Sequence, residues 1–399
     1  MLSLFSNKLH PNVYILMLAQ ALMGSIGPLV VFVGGFVGIQ LAPNQSLATL
    51  PVALMVVGIA VFMLPVVRVI AKVGRKRGFQ LAMLIGLLNT LFACMSIMLN
   101  SFTLFCISIT LFGITMAASQ QFRFAAIESV DTKQASQAVS VLLLAGLLAA
   151  FLGPETALLG KDLLDVEFAG SFLLLTVLLG AALTVIYFFN PVEVDEQTIN
   201  EVARPLKAII VHPLFISSLL SAAVAFSVMS FIMTATPISM HIHSGFDIAD
   251  TKWVIQSHII AMYLPSFFTG KLIQRLGHSA VLYIGIATLL ACIVIGLFGQ
   301  HYMHYWWALI LLGIGWNFMF VTATTLLPLS YNHAEKFKVQ GFNDLVIFSS
   351  QATASLLAGW VVAGLGWNGL LMICIPLLVV TAIIIWLWRH ARVVALSPE

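Results

Sequence analysis

Long apolar stretches alternate with short polar segments from one end of the chain to the other. Most of these stretches hold about 20 residues or more, the length that an α-helix needs to cross a hydrocarbon core of about 30 Å. The pattern therefore predicts a membrane protein with twelve spanning helices. Their predicted ranges are 12–40, 48–68, 79–99, 102–126, 136–158, 169–190, 212–240, 252–273, 279–299, 304–327, 342–364 and 369–389.

The longest polar stretch separates the sixth and seventh predicted helices. We therefore predict two six-helix domains, residues 1–190 and 212–399, joined by a linker at residues 191–211. The segment before the first helix leads into an apolar run far longer than the core of a signal peptide, so we expect that helix to be retained. The linker region carries four acidic residues, Glu193, Asp195, Glu196 and Glu201.

Composition excludes the soluble classes of protein. Of the 399 residues 61% are hydrophobic and 8% are charged, whereas a soluble domain has about 25% charged residues. The net charge of +3 comes from basic residues scattered over short loops, so we expect no nucleic-acid partner. The four cysteines all lie in apolar stretches without a CxxC pair, which predicts neither a disulfide framework nor a zinc ribbon: Cys94, Cys106, Cys292 and Cys374.

The basic residues predict the orientation in the membrane. With the N-terminus in the cytoplasm, nearly all lysines and arginines outside the helices fall on the cytoplasmic side, as the positive-inside rule expects. Lys161 and Lys252 fall outside, and Arg123 lies within the fourth helix. We therefore predict that both termini and the linker are cytoplasmic.

Two loops repeat one pattern in corresponding places of the two halves. The loop after the second helix contains Lys72, Val73 and Gly74, and the loop after the eighth contains Arg275, Leu276 and Gly277. This repeat resembles the loop signature of the major facilitator superfamily. The resemblance implies an all-α fold of two six-helix bundles around a central cavity with a site at the midplane. The acidic residue usual in the signature is replaced by Ala71 and Gln274, so its gating salt bridge is not carried over.

Ionisable residues inside predicted helices are candidates for function, because a charge in hydrocarbon is costly. Arg123 lies near the cytoplasmic end of the fourth helix and Glu155 near the outer end of the fifth. One interpretation places Arg123 as a gate and Glu155 as a proton or cation relay. In the other, Arg123 extends to the cytoplasmic interface and Glu155 reaches the outer one. Asp344, at the start of the eleventh helix, we interpret as an N-cap or interface group.

Soft metal-binding side chains lie near the middle of the seventh and eighth predicted helices. Met229 and Met233 share one face of the seventh, and His258 and Met262 share one face of the eighth. Thioethers favour Cu(I), and the absence of a carboxylate or thiolate within a turn argues against calcium, magnesium, manganese or zinc. Alternatively, the methionines pack in the core and His258 bonds a neighbouring helix.

A second group of histidines and methionines lies on the predicted outer side. In one interpretation these residues capture copper before it enters the cavity. In the other they are tolerated at the membrane interface. The group consists of Met240, His241 and His243 after the seventh helix, and His301, Met303 and His304 after the ninth.

Three segments resemble one bacterial subgroup of the superfamily, namely 256–270, 315–318 and 340–344. Within it the chain resembles the CcoA-like copper importers through Met229, Met233, His258 and Met262. The resemblance implies a monomer that imports copper, as an ion or small complex, across the bacterial inner membrane for cytochrome oxidase assembly. Copper would be the transported substrate, not a prosthetic group, and copper chaperones would be partners.

Three hypotheses follow. The first is a Cu(I) importer that binds the ion through those four residues. The second is a facilitator, such as a proton-coupled exporter, for an organic solute or drug, with a cavity lined by Gln20, Gln120, Gln121, Arg123, Trp316 and Asn317. The third is a membrane sensor or assembly factor that binds copper without moving it. No nucleophile triad, phosphate loop or metal-bound water site is evident, so we do not expect an enzyme.

Overall fold

The structure is a computed structural model that describes residues 9–44, 47, 50–192 and 203–396. It does not describe the side chains of residues 35, 241–243, 248, 249, 252 and 388–396. Within this described part every regular element is a helix, which confirms the predicted all-α class. The chain divides into two compact units, Met1–Val194 and Asp195–Glu399, at a point inside the predicted linker. The four acidic residues of the linker lie outside the described residues.

The first unit contains nine α-helices in its described residues. Short breaks at Ser25, Gln121 and Leu144 divide the first, fourth and fifth predicted spans into two helices each. The helices are α1 (Pro11–Gly24), α2 (Ile26–Leu41), α3 (Leu50–Val73), α4 (Arg75–Met98), α5 (Phe102–Gln120), α6 (Phe122–Glu128), α7 (Ala135–Leu143), α8 (Ala145–Gly160) and α9 (Ala169–Tyr187).

The second unit contains seven α-helices in its described part and one π-helical turn, Ile238–His243. The helices are α10 (Leu206–Ile210), α11 (Pro213–Pro237), α12 (Ile248–Tyr263), α13 (Ser266–Leu276), α14 (His278–Phe298), α15 (Tyr302–Leu326) and α16 (Lys336–Leu396).

Ten helical stretches of the described chain are long and apolar enough to cross a membrane, against the twelve predicted spans. One of them, His333–Leu387, contains both the eleventh and twelfth predicted spans. The two spans form one helix, α16, which continues through a kink at the non-helical Gly366 (φ 69°). The eighth predicted span is interrupted at Leu264 and Pro265, so that α12 and α13 are each too short to qualify. These two differences account for the lower number.

The repeated loops adopt the same backbone conformation in the two units. Gly74 has φ 83° and ψ 160°, and Gly277 has φ 81° and ψ 164°. A positive φ of this size is readily available only to glycine. The sequence repeat therefore corresponds to one turn geometry used twice, each time directly before a long helix.

Close helix contact in the first unit depends on small residues. A Cβ atom at Gly58 of α3 would overlap the carbonyl oxygen of Thr110 of α5, and one at Gly113 would overlap the backbone of Gly58. At one end of the unit, two Arg75 N–H groups donate to Glu128, with Nε 2.7 Å from Oε2. The unit therefore combines a tight α3–α5 crossing with an ion pair whose arginine is buried and whose glutamate is half-buried.

In the second unit, α11 packs mainly against α16 and α15, whereas α12 and α14 pack against α15. The Ser218 hydroxyl of α11 donates to the carbonyl of Ala323 of α15 at 2.7 Å. Before α10, the Arg204 guanidinium binds Glu335, whose carboxylate is buried. Helix α15 is therefore the central helix against which the candidate site is assembled.

Candidate functional site

Asn317 of α15 holds the interrupted pair α12 and α13 in place. Its Nδ2 donates to the carbonyl of Met262 and to the Ser266 hydroxyl, both at 2.7 Å. Its Oδ1 accepts from the Thr269 hydroxyl at 2.7 Å. These bonds use both amide hydrogens at the break, where Pro265 cannot donate a backbone hydrogen bond. Asn317 is therefore engaged within the protein, although the organic-solute hypothesis placed it in a cavity lining.

Helices α12 and α15 approach closely one turn before Asn317. A Cβ at Gly313 would lie 2.8 Å from the carbonyl oxygen of His258 and 2.8 Å from the backbone nitrogen of Met262. Only a glycine lets the two backbones meet at this distance. The contact sets the depth of His258 relative to the aromatic residues of α15.

Five aromatic side chains from four helices form an aromatic cluster beside this contact. Trp316 and Phe320 stack with ring centroids 5.0 Å apart. Phe226 of α11 stands edge-on to Trp316 at 5.2 Å, to Phe320 at 4.9 Å and to Phe348 of α16 at 5.4 Å. Tyr263 of α12 lies edge-on to Trp316 at 6.0 Å. Four of the five rings are buried and Tyr263 is half-buried, so the cluster is a packed group of aromatic rings within the unit.

Trp316 is buried, and its indole Nε1 has no hydrogen-bond partner among the described residues. Other indoles of the unit do have one, since Trp306 donates to the Ser257 hydroxyl and Trp367 to the carbonyl of Gly296. A buried N–H without a partner costs about 1–3 kcal/mol. Trp316 therefore carries a donor that a bound molecule can satisfy.

His258 supplies the complementary group. It is fully buried, and its Nδ1 lies 2.8 Å from the carbonyl oxygen of Leu309. Since a carbonyl only accepts, Nδ1 carries the hydrogen, and in the neutral ring Nε2 is then an acceptor. Nε2 has no hydrogen-bond partner in the part of the chain that the structure describes. The second unit thus contains an unused donor at Trp316 of α15 and an unused acceptor at His258 of the neighbouring helix α12.

The four predicted copper ligands occupy two helices that share little direct contact. Met229 is buried, Met233 is half-buried and both lie on α11; His258 and Met262 are buried and lie on α12. Helix α15 is the main neighbour of α12, and α11 packs chiefly on α16 and α15. Within the described chain, no group of three or more histidine, cysteine or acidic side chains is placed to hold a metal ion.

The predicted outer residues lie on two segments that Tyr305 ties together. Its hydroxyl is 2.6 Å from that of Ser239 and 3.2 Å from that of Ser244. Met240 is fully buried and Met303 is exposed. The rings of His301 and His304 lie 5.9 Å apart, whereas the His241 and His243 side chains fall outside the described residues.

In the first unit, Arg123 follows the break at Gln121 and is buried, with its guanidinium carbon 4.8 Å from the Phe124 ring centroid. Glu155 is exposed on α8. Gln20 and Gln120 are half-buried, and the Oε1 of Gln20 accepts no hydrogen bond from any described residue.

Sequence reasoning missed four members of the cluster, namely Phe226, Tyr263, Phe320 and Phe348. The spacing of Trp316 and Phe320, one helical turn apart, was the available signal. It did not reveal that rings from three other helices meet that face.

The chain matches the family model described as Major Facilitator Superfamily over residues 13–336 and, in a second match, over residues 219–398. It is 37% identical over 369 residues to the riboflavin transporter RfnT of Brucella anthropi, covering 92% of each chain. It is 32% identical over 381 residues to the uncharacterized MFS-type transporter YdeG of Bacillus subtilis, covering 91% of this chain and 88% of that protein.

Among solved structures, the human organic anion transporter MFSD10 aligns with a TM-score of 0.74 at 13% identity, over 94% of this chain and 99% of that one. At that identity the likeness shows the fold alone. The family match and the two bacterial relatives together show that this chain, a membrane transporter and not an enzyme, belongs to the major facilitator superfamily.

Proposed function

We propose that the protein takes up a small, flat heteroaromatic solute of the riboflavin class by alternating access. Alternating access is the mechanism of secondary transporters built from repeated halves. We place it in a bacterial inner membrane with both termini cytoplasmic, as the basic residues predict. This proposal refines the organic-solute hypothesis and changes its direction from export to uptake.

One observation carries the proposal, the unused donor of Trp316 within the aromatic cluster, and the unused acceptor of His258 on the neighbouring helix α12 adds to it. Riboflavin has an uncharged tricyclic ring, which stacks on aromatic faces. The imide edge of that ring presents an N–H between two carbonyl groups. Stacking of such rings on aromatic side chains is worth about 1–3 kcal/mol. The site therefore has the chemistry for the face and for the edge of such a ring.

One relative supports the same class of solute. A chain 37% identical over 92% of both lengths carries the name of a riboflavin transporter. Copper import, our first hypothesis, has no such support. The thioethers of α11 and the His258–Met262 pair of α12 lie on helices with little mutual contact. Copper chaperones as partners and the copper-sensor hypothesis rest on the same four residues and gain no support either.

Growth of a riboflavin-requiring bacterium that lacks its own importer tests the proposal. We expect the parent chain to restore growth at low external riboflavin and the Trp316→Ala variant not to do so at matched membrane abundance. Copper accumulation measured in the same cells should equal that of the empty-vector control. Failure of the parent to restore growth, or copper accumulation that depends on Met233, would contradict the proposal.

A further inference from the structure

Polar side chains lead away from the aromatic cluster along α11 and α16. The hydroxyl oxygens of Thr234 of α11 and Ser355 of α16 lie 3.2 Å apart. About one turn closer to the cluster lie Ser230 of α11 and Gln351 of α16. The Ser230 hydroxyl donates to the sulfur of Met229 at 3.9 Å, and a thioether is a weak acceptor. We name these four residues the polar strip: Ser230, Thr234, Gln351 and Ser355.

Two contacts fix the register of the polar strip relative to the aromatic cluster. The rings of Phe226 and Phe348, both in the cluster, have centroids 5.4 Å apart. The contact between Thr234 and Ser355 lies about two turns further along both helices. Helix α11 and the first part of α16 therefore run side by side in one direction, and the strip continues the stripe on which the cluster lies. It extends roughly 4–12 Å from the cluster along the helix axes.

The exposed face of α16 shows which side of the helix meets the lipid. Large apolar side chains dominate that face in the middle of α16, and its members are Thr353, Leu356, Leu357 and Trp360. At about 100° per residue, Gln351 and Ser355 lie roughly opposite to it. Polar residues of a spanning helix usually face the interior of the bundle or a cavity, and these two follow that rule.

The polar strip is nevertheless not enclosed. Thr234, Gln351 and Ser355 are half-buried, whereas Ser230 is buried. Because α16 turns its other side to the lipid, the partial exposure of Gln351 and Ser355 indicates space within the protein that a solute can enter. That space begins beside the aromatic cluster, where we place the ring of the solute.

We propose that the polar strip binds the hydroxyl groups of an uncharged polyol chain attached to the flat ring of the solute. This inference rests on the proposed function. Riboflavin carries such a chain, whose hydroxyls each donate and accept. The three hydroxyls and the amide of the strip also donate and accept, so they can bond such groups in either sense. None of the four side chains is charged, which matches an uncharged chain.

Gln351 separates this role from a purely structural one. The contact between Thr234 and Ser355 could by itself serve to hold α11 against α16, as polar side chains often do between spanning helices. Gln351 takes no part in that contact. Its substitution therefore tests the binding of a polyol while the bond between the two helices stays in place.

Binding of two flavins to the purified protein tests the proposal. Lumiflavin has the ring of riboflavin with a methyl group in place of the polyol chain. We expect the parent to bind riboflavin at least tenfold more tightly than lumiflavin, measured by quenching of flavin fluorescence. Gln351→Met keeps the length of the side chain and removes the amide. It should raise the Kd for riboflavin about five- to tenfold and leave the Kd for lumiflavin unchanged.

Thr353→Val is the matched control on the same helix. The Thr353 hydroxyl is exposed on the lipid side and donates to the carbonyl of Ser349 at 2.9 Å. We expect this variant to bind both flavins as the parent does. Trp316→Ala should weaken the binding of both, because both contain the ring.

The outcomes separate this inference from the proposed function. Equal affinity of the parent for the two flavins, or an equal loss of affinity for both in Gln351→Met, would overturn the polyol site and leave the proposed function in place. Failure of the parent to bind either flavin would overturn the proposed function, and the polyol site with it.

Discussion

The indole of Trp316 stacks on the ring of Phe320, one helical turn away, with centroids 5.0 Å apart and planes 24° apart. Phe226 stands nearly perpendicular to both rings, at 83° and 89°. Rings held in this way by residues of two helices have little freedom to rearrange. The stack is a rigid platform, and the unused Nε1 of Trp316 is fixed with it.

Replacing Trp316 by phenylalanine separates the two contributions of this residue. Trp316→Phe keeps an aromatic face but removes the N–H, and one hydrogen bond is worth about 1–1.5 kcal/mol. We expect the Kd for riboflavin to rise roughly five- to tenfold, and to rise further in Trp316→Ala. Quenching of riboflavin fluorescence by the purified protein measures both values.

The control for that experiment is Trp306→Phe. Trp306 already donates to the Ser257 hydroxyl at 3.0 Å, so its N–H is not available to a solute. We expect an unchanged Kd in this variant. Equal weakening in Trp306→Phe and Trp316→Phe would show that the loss reflects general damage to α15.

The methionines distinguish the organic solute from copper. Met229→Leu and Met233→Leu conserve volume, and such swaps usually cost less than about 1.5 kcal/mol. We expect riboflavin uptake in both variants to stay within about twofold of the parent, while His258→Leu, which removes the acceptor, weakens uptake roughly tenfold. If the methionine variants lose uptake and His258→Leu retains it, our assignment of the site is wrong.

Asn317→Leu tests the anchoring role of this residue. The substitution leaves the Ser266 hydroxyl and the carbonyl of Met262 without Asn317, whereas the Thr269 hydroxyl keeps the carbonyl of Pro265 as a partner. We expect a loss of about 1–3 kcal/mol, seen as a lower Tm in detergent. Thr288→Val removes a hydroxyl on α14 that bonds only the carbonyl of Ile284 on the exposed surface, and it should leave Tm unchanged. Equal Tm values for both variants would refute the anchor.

Gly58 tests the packing of α3 on α5, and Gly364 of α16 provides the matched control. Gly58→Ala places a methyl group against the carbonyl of Thr110, so we expect a strong loss of folded protein in membranes. Gly364→Ala adds a methyl group that meets nothing within 4 Å, and alanine favours the helix by about 1 kcal/mol. Size-exclusion profiles of the two variants provide the measurement, and a normal profile for Gly58→Ala would contradict the structure.

The fold was largely predictable, because a bilayer requires long apolar helices and the hairpin glycines recur at Gly74 and Gly277. The breaks at Ser25, Gln121 and Leu144 were not, since the apolar pattern continues across each of them. The break at Leu264 and Pro265 likewise divides the eighth predicted span into two shorter helices, α12 and α13.

The site was predicted only in parts. His258 and Trp316 were both singled out, but in competing hypotheses, one for copper and one for an organic solute. Their relation depends on the rotation of α12 and α15 about their axes and on the close approach at Gly313, which one sequence does not reveal. Burial was equally hidden, and it changes Asp344 from an interface group into an enclosed acid.

Riboflavin counterflow into proteoliposomes tests the central claim most directly, because exchange requires neither a driving force nor a known direction. Vesicles loaded with unlabelled riboflavin should take up labelled riboflavin when they contain the parent protein. Uptake should fall at least tenfold with Trp316→Ala at equal protein content. No exchange by the parent, or equal exchange by the variant, would contradict the account.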